Sequence, residues 1–293
     1  MKTIEHILFP IDFSDRISGA LPFVDQMATK FGAKLTLLNV AQPYWYGVGA
    51  PGGATAPVMV NSEEITNVVK ERLANTWTQE LAHLTVDRVV EIGDPATVIT
   101  EFAQEHGVGL IMMPTHGYGP FRELLLGSVA SKVLHDAHCP VWTATHLEEG
   151  PSVEHIKPSK ILCAVDTTPK TIDLLRWASD FAKAAGADFR LIHVLPHMEG
   201  YATWTSPQME IEIDNEMESE ARKEIGKLTT EAAVDAPLRV VLGPVANALK
   251  EEAQREQTDL LIIGRGVMQK TLGRLLTHAY SVIRQAPCPV ISV

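Results

Sequence analysis

Short apolar runs alternate along this chain with longer stretches whose apolar residues recur every three or four positions. The first run, His6-Ile-Leu-Phe-Pro-Ile-Asp12, is mostly apolar and ends in an acid. Ser14 or Asp15 can cap the next segment, Arg16–Phe31, where Ile17, Leu21, Val24, Met27, Ala28 and Phe31 fall at helical spacing. Gly32 predicts the end of that helix. Lys34–Val40 reads as a second strand. Strand, helix and strand in succession predict a right-handed crossover between parallel strands.

Residues 41–61 are rich in Gly, Pro, Tyr and Trp. They are too long and irregular for a plain connection and read as a functional lid or a mobile loop. Tyr44, Trp45 and Tyr46 either stack on a base, cover a partner or anchor the loop locally. Ser62 caps a long helix, Glu63–His83. Asp87–Ile92 reads as a strand, Gly93-Asp94-Pro95 as a turn, and Ala96–His106 as a helix with Pro95 near its first position. Strand Leu110–Met113, a glycine-containing loop, helix Ser128–His135 and strand Val141–Thr145 complete this half.

After a linker near Leu147–Lys157 the pattern repeats. Asp166 lies 154 positions after Asp12, and Val194 lies 154 after Val40. Lys160–Asp166 parallels His6–Asp12, Ala187–Val194 parallels Ala33–Val40, and Arg239–Pro244 parallels Val89–Pro95. Leu260–Gly264 parallels Leu110–Pro114, and Pro287–Val293 parallels His138–Thr143. The duplication predicts two copies of one α/β domain, residues 1–147 and 156–293. Each copy should hold a parallel sheet with helices on both faces. Ligands of such sheets sit beyond the carboxyl ends of the strands, at the switch in strand order. Asp12, Val40 and the loop after Met113 all fall at such ends.

That loop joins strand to helix. Gly117 lies within it, and Gly127-Ser128 stands at the helix mouth. A glycine without Cβ lets a ligand approach the backbone, and a helix N-terminus offers unpaired N–H groups to phosphate. Ser128 either caps the helix or turns its hydroxyl to a phosphate oxygen. Nine residues separate Gly117 from Gly127, and Ser128 follows. With the tail Ser128-Val-Ala-Ser-Lys-Val-Leu-His135 and Cys139-Pro-Val141, this resembles the signature of the universal stress protein family. One position departs: Pro114 stands where the family has its first glycine, and proline has no N–H to donate.

The resemblance covers nearly the whole chain, as a tandem pair. It implies two doubly wound, Rossmann-like, five-stranded parallel sheets with strand order 3-2-1-4-5. It implies an adenine nucleotide, ATP foremost, with Mg²⁺ able to join through phosphate oxygens and water. By resemblance Asp12 meets the ribose or adenine side, the Val40 backbone meets adenine, Gly117, Gly127, Ser128 and Val129 form the phosphate end, and Pro10, Ile11, Met113 and Thr115 belong to the same nucleotide-binding set. The rival reading of Asp12 is an acid at a helix N-terminus. The rival for Val40 is core packing, and for the glycines turn punctuation. The resemblance also implies pairing through last strands. The tandem can satisfy this internally with Val141–Thr145 against Val290–Val293, and two chains can pair as well.

The second half has lost much of the signature. Its loop, Gly264 to Thr277, is one residue shorter than Pro114 to Ser128, and Gly127-Ser128 becomes Leu276-Thr277. One nucleotide site, in the first half, is therefore expected. Gly264 and Gly266 leave room for something smaller, and Arg265 and Lys270 supply charge.

Composition narrows the function. Of 293 residues, 45% are hydrophobic and 21% charged, as in ordinary soluble domains. A net charge of −11 opposes binding to nucleic acid or anionic membrane. No charged stretch before an apolar core at the start and no membrane-length apolar run predict a cytoplasmic chain. The three cysteines, Cys139, Cys163 and Cys288, lack any C-x-x-C spacing and read as small buried thiols. His135, Asp136, His138 and Cys139 cluster in sequence but read as a helix end rather than a metal site. His116 and Arg122 are charged loop residues without an assigned role. No Walker lysine follows Gly127-Ser128. The expected function is a nucleotide-dependent sensor or switch. The alternatives are a slow ATPase and a nucleotide-free assembly module.

Overall fold

The computed structural model describes residues 4–42, 45–49, 55–59, 62–115, 126–144, 156–195, 207–265 and 275–293. The first half runs β1 (His6–Pro10), α1 (Asp15–Phe31), β2 (Lys34–Ala41), β3 (Trp45–Gly49), β4 (Thr55–Met59) and α2 (Ser62–Ala74). It continues with β5 (Val86–Ile92), α3 (Pro95–Glu105), β6 (Leu110–Pro114), α4 (Ser128–Asp136) and β7 (Val141–Ala144). The main sheet has the order β5-β2-β1-β6-β7. Strand β1 is parallel to both β2 and β6, and β2 is parallel to β5. Counting only these five strands, the order is 3-2-1-4-5, as expected. Strand β6 is buried at all five positions, which explains its unbroken apolar run.

Two segments differ from expectation. The stretch expected as a lid or loop contains an antiparallel hairpin, with Trp45 opposite Met59 and Gly49 opposite Thr55. Short alternating segments such as Tyr46-Gly-Val48 and Ala56-Pro-Val58 support strands, although Gly and Pro dominate the composition. Tyr44 and the side chains of Trp45 and Tyr46 lie outside the described residues, as does their expected stacking role.

The helix expected over Glu63–His83 stops at Ala74. The Thr76 hydroxyl donates back to Arg72 O at 2.8 Å, and Trp77 takes a left-handed backbone, φ +50°. A left-handed residue cannot continue a right-handed helix. The Trp77 ring stacks on Phe9 at 5.9 Å, and Leu81 is buried. The apolar residues thus still serve the core, but from turns.

The second half runs β8 (Lys160–Ala164), α5 (Thr171–Ala185), β9 (Asp188–Leu195), α6 (Pro207–Ala232) and β10 (Leu238–Leu242). Then come α7 (Val245–Glu256), β11 (Leu260–Ile263), α8 (Leu275–Gln285) and β12 (Val290–Ser292). Its order, β10-β9-β8-β11-β12, again counts as 3-2-1-4-5, with parallel pairings throughout.

The repeat extends to single hydrogen bonds. Ile11 N–H donates to Leu38 O at 2.8 Å, and Val165 N–H donates to Ile192 O at 2.9 Å. Gly93 N–H reaches Ala41 O at 3.1 Å, and Gly243 N–H reaches Leu195 O at 3.0 Å. Gly93 has φ +156°, and a Cβ there would lie 2.9 Å from Val98 Cγ2, so this turn requires glycine.

Among the described residues no helix is long and apolar enough to cross a membrane. Cys163 is fully buried, and burial pushes its thiol pKa up. The Cys288 thiol is pushed up to about 12, by burial first and then by the charge of Asp259.

Candidate functional site

A cavity of about 490 Å³ opens in the first half beyond the carboxyl ends of β1, β2 and β6. Pro10 and Ile11 reach it from β1, with Asp12 just after. Val40 reaches it from β2, and Met113 and Thr115 from the end of β6. Gly127, Ser128 and Val129 bring the start of α4 to the same space. Gly117, His116 and Arg122 lie outside the described residues.

Parallel strands force this convergence. Their carboxyl ends share one edge of the sheet, and each crossover returns the chain to the opposite edge. Gly127 N–H donates to Thr115 O at 2.9 Å and so ties together the two ends of the intervening loop. Gly127 precedes α4 with φ −57° and ψ 146°, a backbone open to any residue. Its value lies in the missing Cβ, not in a special conformation. The first N–H groups of α4 have no partner within their own helix and point positive charge out of its N-terminus.

Asp12 is the single ionisable residue among the described residues lining this cavity. Its Oδ1 accepts from Ser14 N–H at 3.0 Å and from the Ser14 hydroxyl at 2.7 Å. Ser14 occupies the N-cap position of α1 but makes no side-chain cap. Its hydroxyl is turned to Asp12 instead, which corrects the expected capping role.

Sequence reading missed two features. Asn39 lines the cavity and is buried, its Nδ2 donating to Ile11 O at 2.7 Å. A signal existed: a polar residue inside the apolar run Leu35–Val40. The second feature is the pair Asp94 and Lys132. Asp94 caps α3, accepting from Thr97 N–H at 3.0 Å, and receives Lys132 Nζ from α4 at 2.8 Å. The Lys132 ammonium first, and then the Thr97 hydrogen bonds, hold the Asp94 pKa at about 2. This clamp joins the start of α3 to the middle of α4, and Pro95 and Ser128, which open these two helices, both line the cavity.

The second half has its own cavity, of about 540 Å³. Here Asp166 Oδ1 accepts three bonds: Thr168 N–H at 2.9 Å, and the Thr168 and Thr171 hydroxyls at 2.6 Å each. Burial acts to raise the Asp166 pKa. The Thr168 and Thr171 hydrogen bonds, helped by His193, outweigh it and leave the pKa below the usual value. His193 takes the place of Asn39 and donates from Nδ1 to Val165 O at 2.8 Å. Helix α8 starts at Leu275, two residues before Thr277, the counterpart of Ser128. The position matching Gly127 therefore lies inside the helix rather than before it. The side chains of Leu276 and Thr277 are outside the described residues, as are Gly266 and Lys270.

Comparison with known proteins gives this architecture its place. The model of the universal stress protein family matches residues 3–144 and again 158–293. The chain belongs to the universal stress protein family. A family member from Methanocaldococcus jannaschii is 31% identical over 139 residues, covering 46% of this chain and 78% of that protein. One from Bacillus subtilis is 31% identical over 143 residues, covering 46% of this chain and 95% of its own length. Over the whole chain, a universal stress protein from Archaeoglobus fulgidus shares the fold. Its TM-score is 0.68 at 20% identity, over 98% of this chain and 95% of that one.

Family membership thus holds for both halves, while their cavities differ in chemistry. Among the described residues no group of three or more His, Cys, Asp or Glu side chains could hold a metal ion. His135 pairs with the adjacent Asp136, Nδ1 to Oδ1 at 2.5 Å.

Proposed function

We propose that the first half binds an adenine nucleotide, ATP foremost, and that the chain acts in the cytoplasm as a nucleotide-dependent switch or sensor. The observation carrying this reading is the cavity itself. Nine residues matched to the family's nucleotide site, drawn from four separate parts of the chain, line one space of about 490 Å³. That volume is in the range of small-molecule and cofactor sites. On this reading Asp12 accepts from ribose hydroxyls, and the α4 N-terminus meets phosphate without a basic field. Mg²⁺ would be held through phosphate oxygens and water, since Asp12 is the sole carboxylate among the described lining residues. That carboxylate is already engaged by Ser14, which favours holding a nucleotide over activating water. Pairing of the two halves, or of two chains, through last strands belongs to the same proposal and is read from mass in solution and from cross-links.

The test is to denature freshly purified protein and identify the released small molecule and its molar ratio to chain. About one adenine nucleotide per chain is the expected result for a single competent half. If none is released, and none is taken up with ATP and Mg²⁺, the switch reading fails and a nucleotide-free assembly module replaces it.

A further inference from the structure

Phe13 follows Asp12 at the edge of the first cavity and lines it. Its backbone is left-handed, φ +60°. A residue with a Cβ is strained in that conformation, so its surroundings must impose it. Both flanks are pinned. On one side Ile11 N–H donates to Leu38 O at 2.8 Å, and Ile11 O accepts from Asn39 Nδ2 at 2.7 Å. On the other, the Ser14 N–H and hydroxyl both donate to Asp12 Oδ1.

The second half shows that the turn alone does not demand this backbone. Thr167 lies 154 positions after Phe13. Thr168 N–H donates to Asp166 Oδ1 at 2.9 Å, as Ser14 N–H does to Asp12 at 3.0 Å. Yet Thr167 is not left-handed, and the second cavity is lined by Thr168 and not by Thr167. The same turn closes without strain there, and its central residue stays out of the cavity wall. In the first half the strained residue is the one that brings an aromatic ring to the cavity.

The ring is also held from outside. The Arg72 guanidinium of α2 lies over it, 4.1 Å from its centroid, a favourable cation–π contact. Arg72 is not part of the cavity wall, whereas Val69, one helical turn before it, is. Helix α2 packs on β2 and β5, so this contact fixes the ring on the β2 side of β1. The start of α4, proposed to meet phosphate, follows β6 on the other side of β1. The wall on the β2 side also carries Val40 and Ala41 from β2 and Val69 from α2, all apolar. A ring braced on one face, in an apolar wall away from the phosphate end, is a flat platform for another ring.

We propose that the base of the nucleotide stacks on the Phe13 ring, and that the left-handed backbone and the Arg72 contact hold the ring in place for it. The proposal rests on the nucleotide reading of the first cavity and names the residue that recognises the base. Stacking on a π-face tolerates any base, so Phe13 contributes affinity for a nucleoside rather than a choice of adenine.

The experiment measures ATP dissociation constants with Mg²⁺ by calorimetry, and stability without nucleotide by urea unfolding. It compares the native chain with Phe13→Gly, Phe13→Leu and Phe13→Tyr. Phe13→Gly and Phe13→Leu should each bind ATP about tenfold or more weakly, and adenosine, read by competition with ATP, should lose the same factor. Phe13→Tyr keeps the ring and should stay within about threefold of the native chain. Phe13→Gly enters the left-handed region without strain and should be at least as stable as Phe13→Leu without nucleotide. Arg72→Gln leaves the ring in the wall and should weaken ATP by a smaller factor than Phe13→Leu. ATP affinity unchanged in both Phe13→Gly and Phe13→Leu overturns the proposal and leaves the nucleotide reading standing. So does a loss in Phe13→Tyr as large as in Phe13→Leu, or weakened ATP with adenosine unaffected. Absence of ATP binding by the native chain at millimolar concentration overturns both.

Discussion

The Asn39 side-chain amide donates to the Ile11 carbonyl at 2.7 Å, and both residues line the first cavity. This bond ties the end of β2 to the chain leaving β1. The second half repeats it with a different residue, His193 on Val165 O at 2.8 Å. Asn39→Ala should leave the Ile11 carbonyl short of a partner and cost about 1–3 kcal/mol in urea unfolding. Asn39→His, which installs the residue of the second half, should recover part of that loss. Equal loss in both variants would mean that the bond does not organise the site.

Gly127 is the position where the halves part company. In the first half it precedes α4, while its counterpart lies inside α8. ATP at about a hundred times its dissociation constant should add about 2.7 kcal/mol to the unfolding free energy of the native chain. Gly127→Leu should remove that increment with little change in stability without nucleotide. Thermal unfolding with and without ATP and Mg²⁺ reads both quantities.

Asp94 should leave its mark at acid pH. Its ordinary value is 3.8, and the folded chain holds it at about 2. The folded state thus binds the proton less tightly than the unfolded one. The stabilisation is complete above pH 3.8 and is lost as pH falls through 2. Asp94→Asn keeps a capping side chain but breaks the ion pair with Lys132, and should flatten the stability curve in that window. Asp94→Ala removes the cap as well and should cost about 1 kcal/mol at neutral pH. Chemical denaturation across pH distinguishes the two variants.

His6 acts in a milder range. Burial lowers its pKa from 6.5, and its Nε2 lies 2.8 Å from the Thr36 hydroxyl. Lys34 and His106 nearby lower it further, while the His106 carbonyl and Asp87 oppose them. Because the folded value is depressed, the stabilisation is present above pH 6.5 and lost as pH falls through the folded value. His6→Gln should reduce the loss of stability between neutral pH and pH 5, measured by urea midpoints.

Much of the fold was legible because parallel-sheet strands are buried on both faces and so stand out as short apolar runs. The run at Leu110–Met113 marked β6, and Gly32, Gly93 and Pro95 marked turns where backbone chemistry leaves few choices. The end of α2 was not legible. The residues beyond Ala74 keep helical spacing, and only the left-handed backbone at Trp77 breaks the helix. The hairpin over 45–59 was hidden because glycine and proline mask strand propensity until a partner strand is present. Asn39 was visible as a polar residue in an apolar strand, but its role depended on where Ile11 ends up.

The sequence by itself determined the duplication, the alternation of strands and helices, and the residue types at each strand end. These are local or periodic properties, written in nearest neighbours and in the 154-residue offset. Tertiary structure decided what those ends do together. Asp12, Val40, Met113 and Gly127 meet only because parallel pairing sets their strand ends along one edge. It also decided that Ser14 serves Asp12 rather than a helix, and that Lys132 reaches back to Asp94. In the second half it placed Arg265 in the wall of a cavity that kept the frame and changed its chemistry. Sequence spacing carries no information on such contacts, because their geometry exists only once the crossovers have closed.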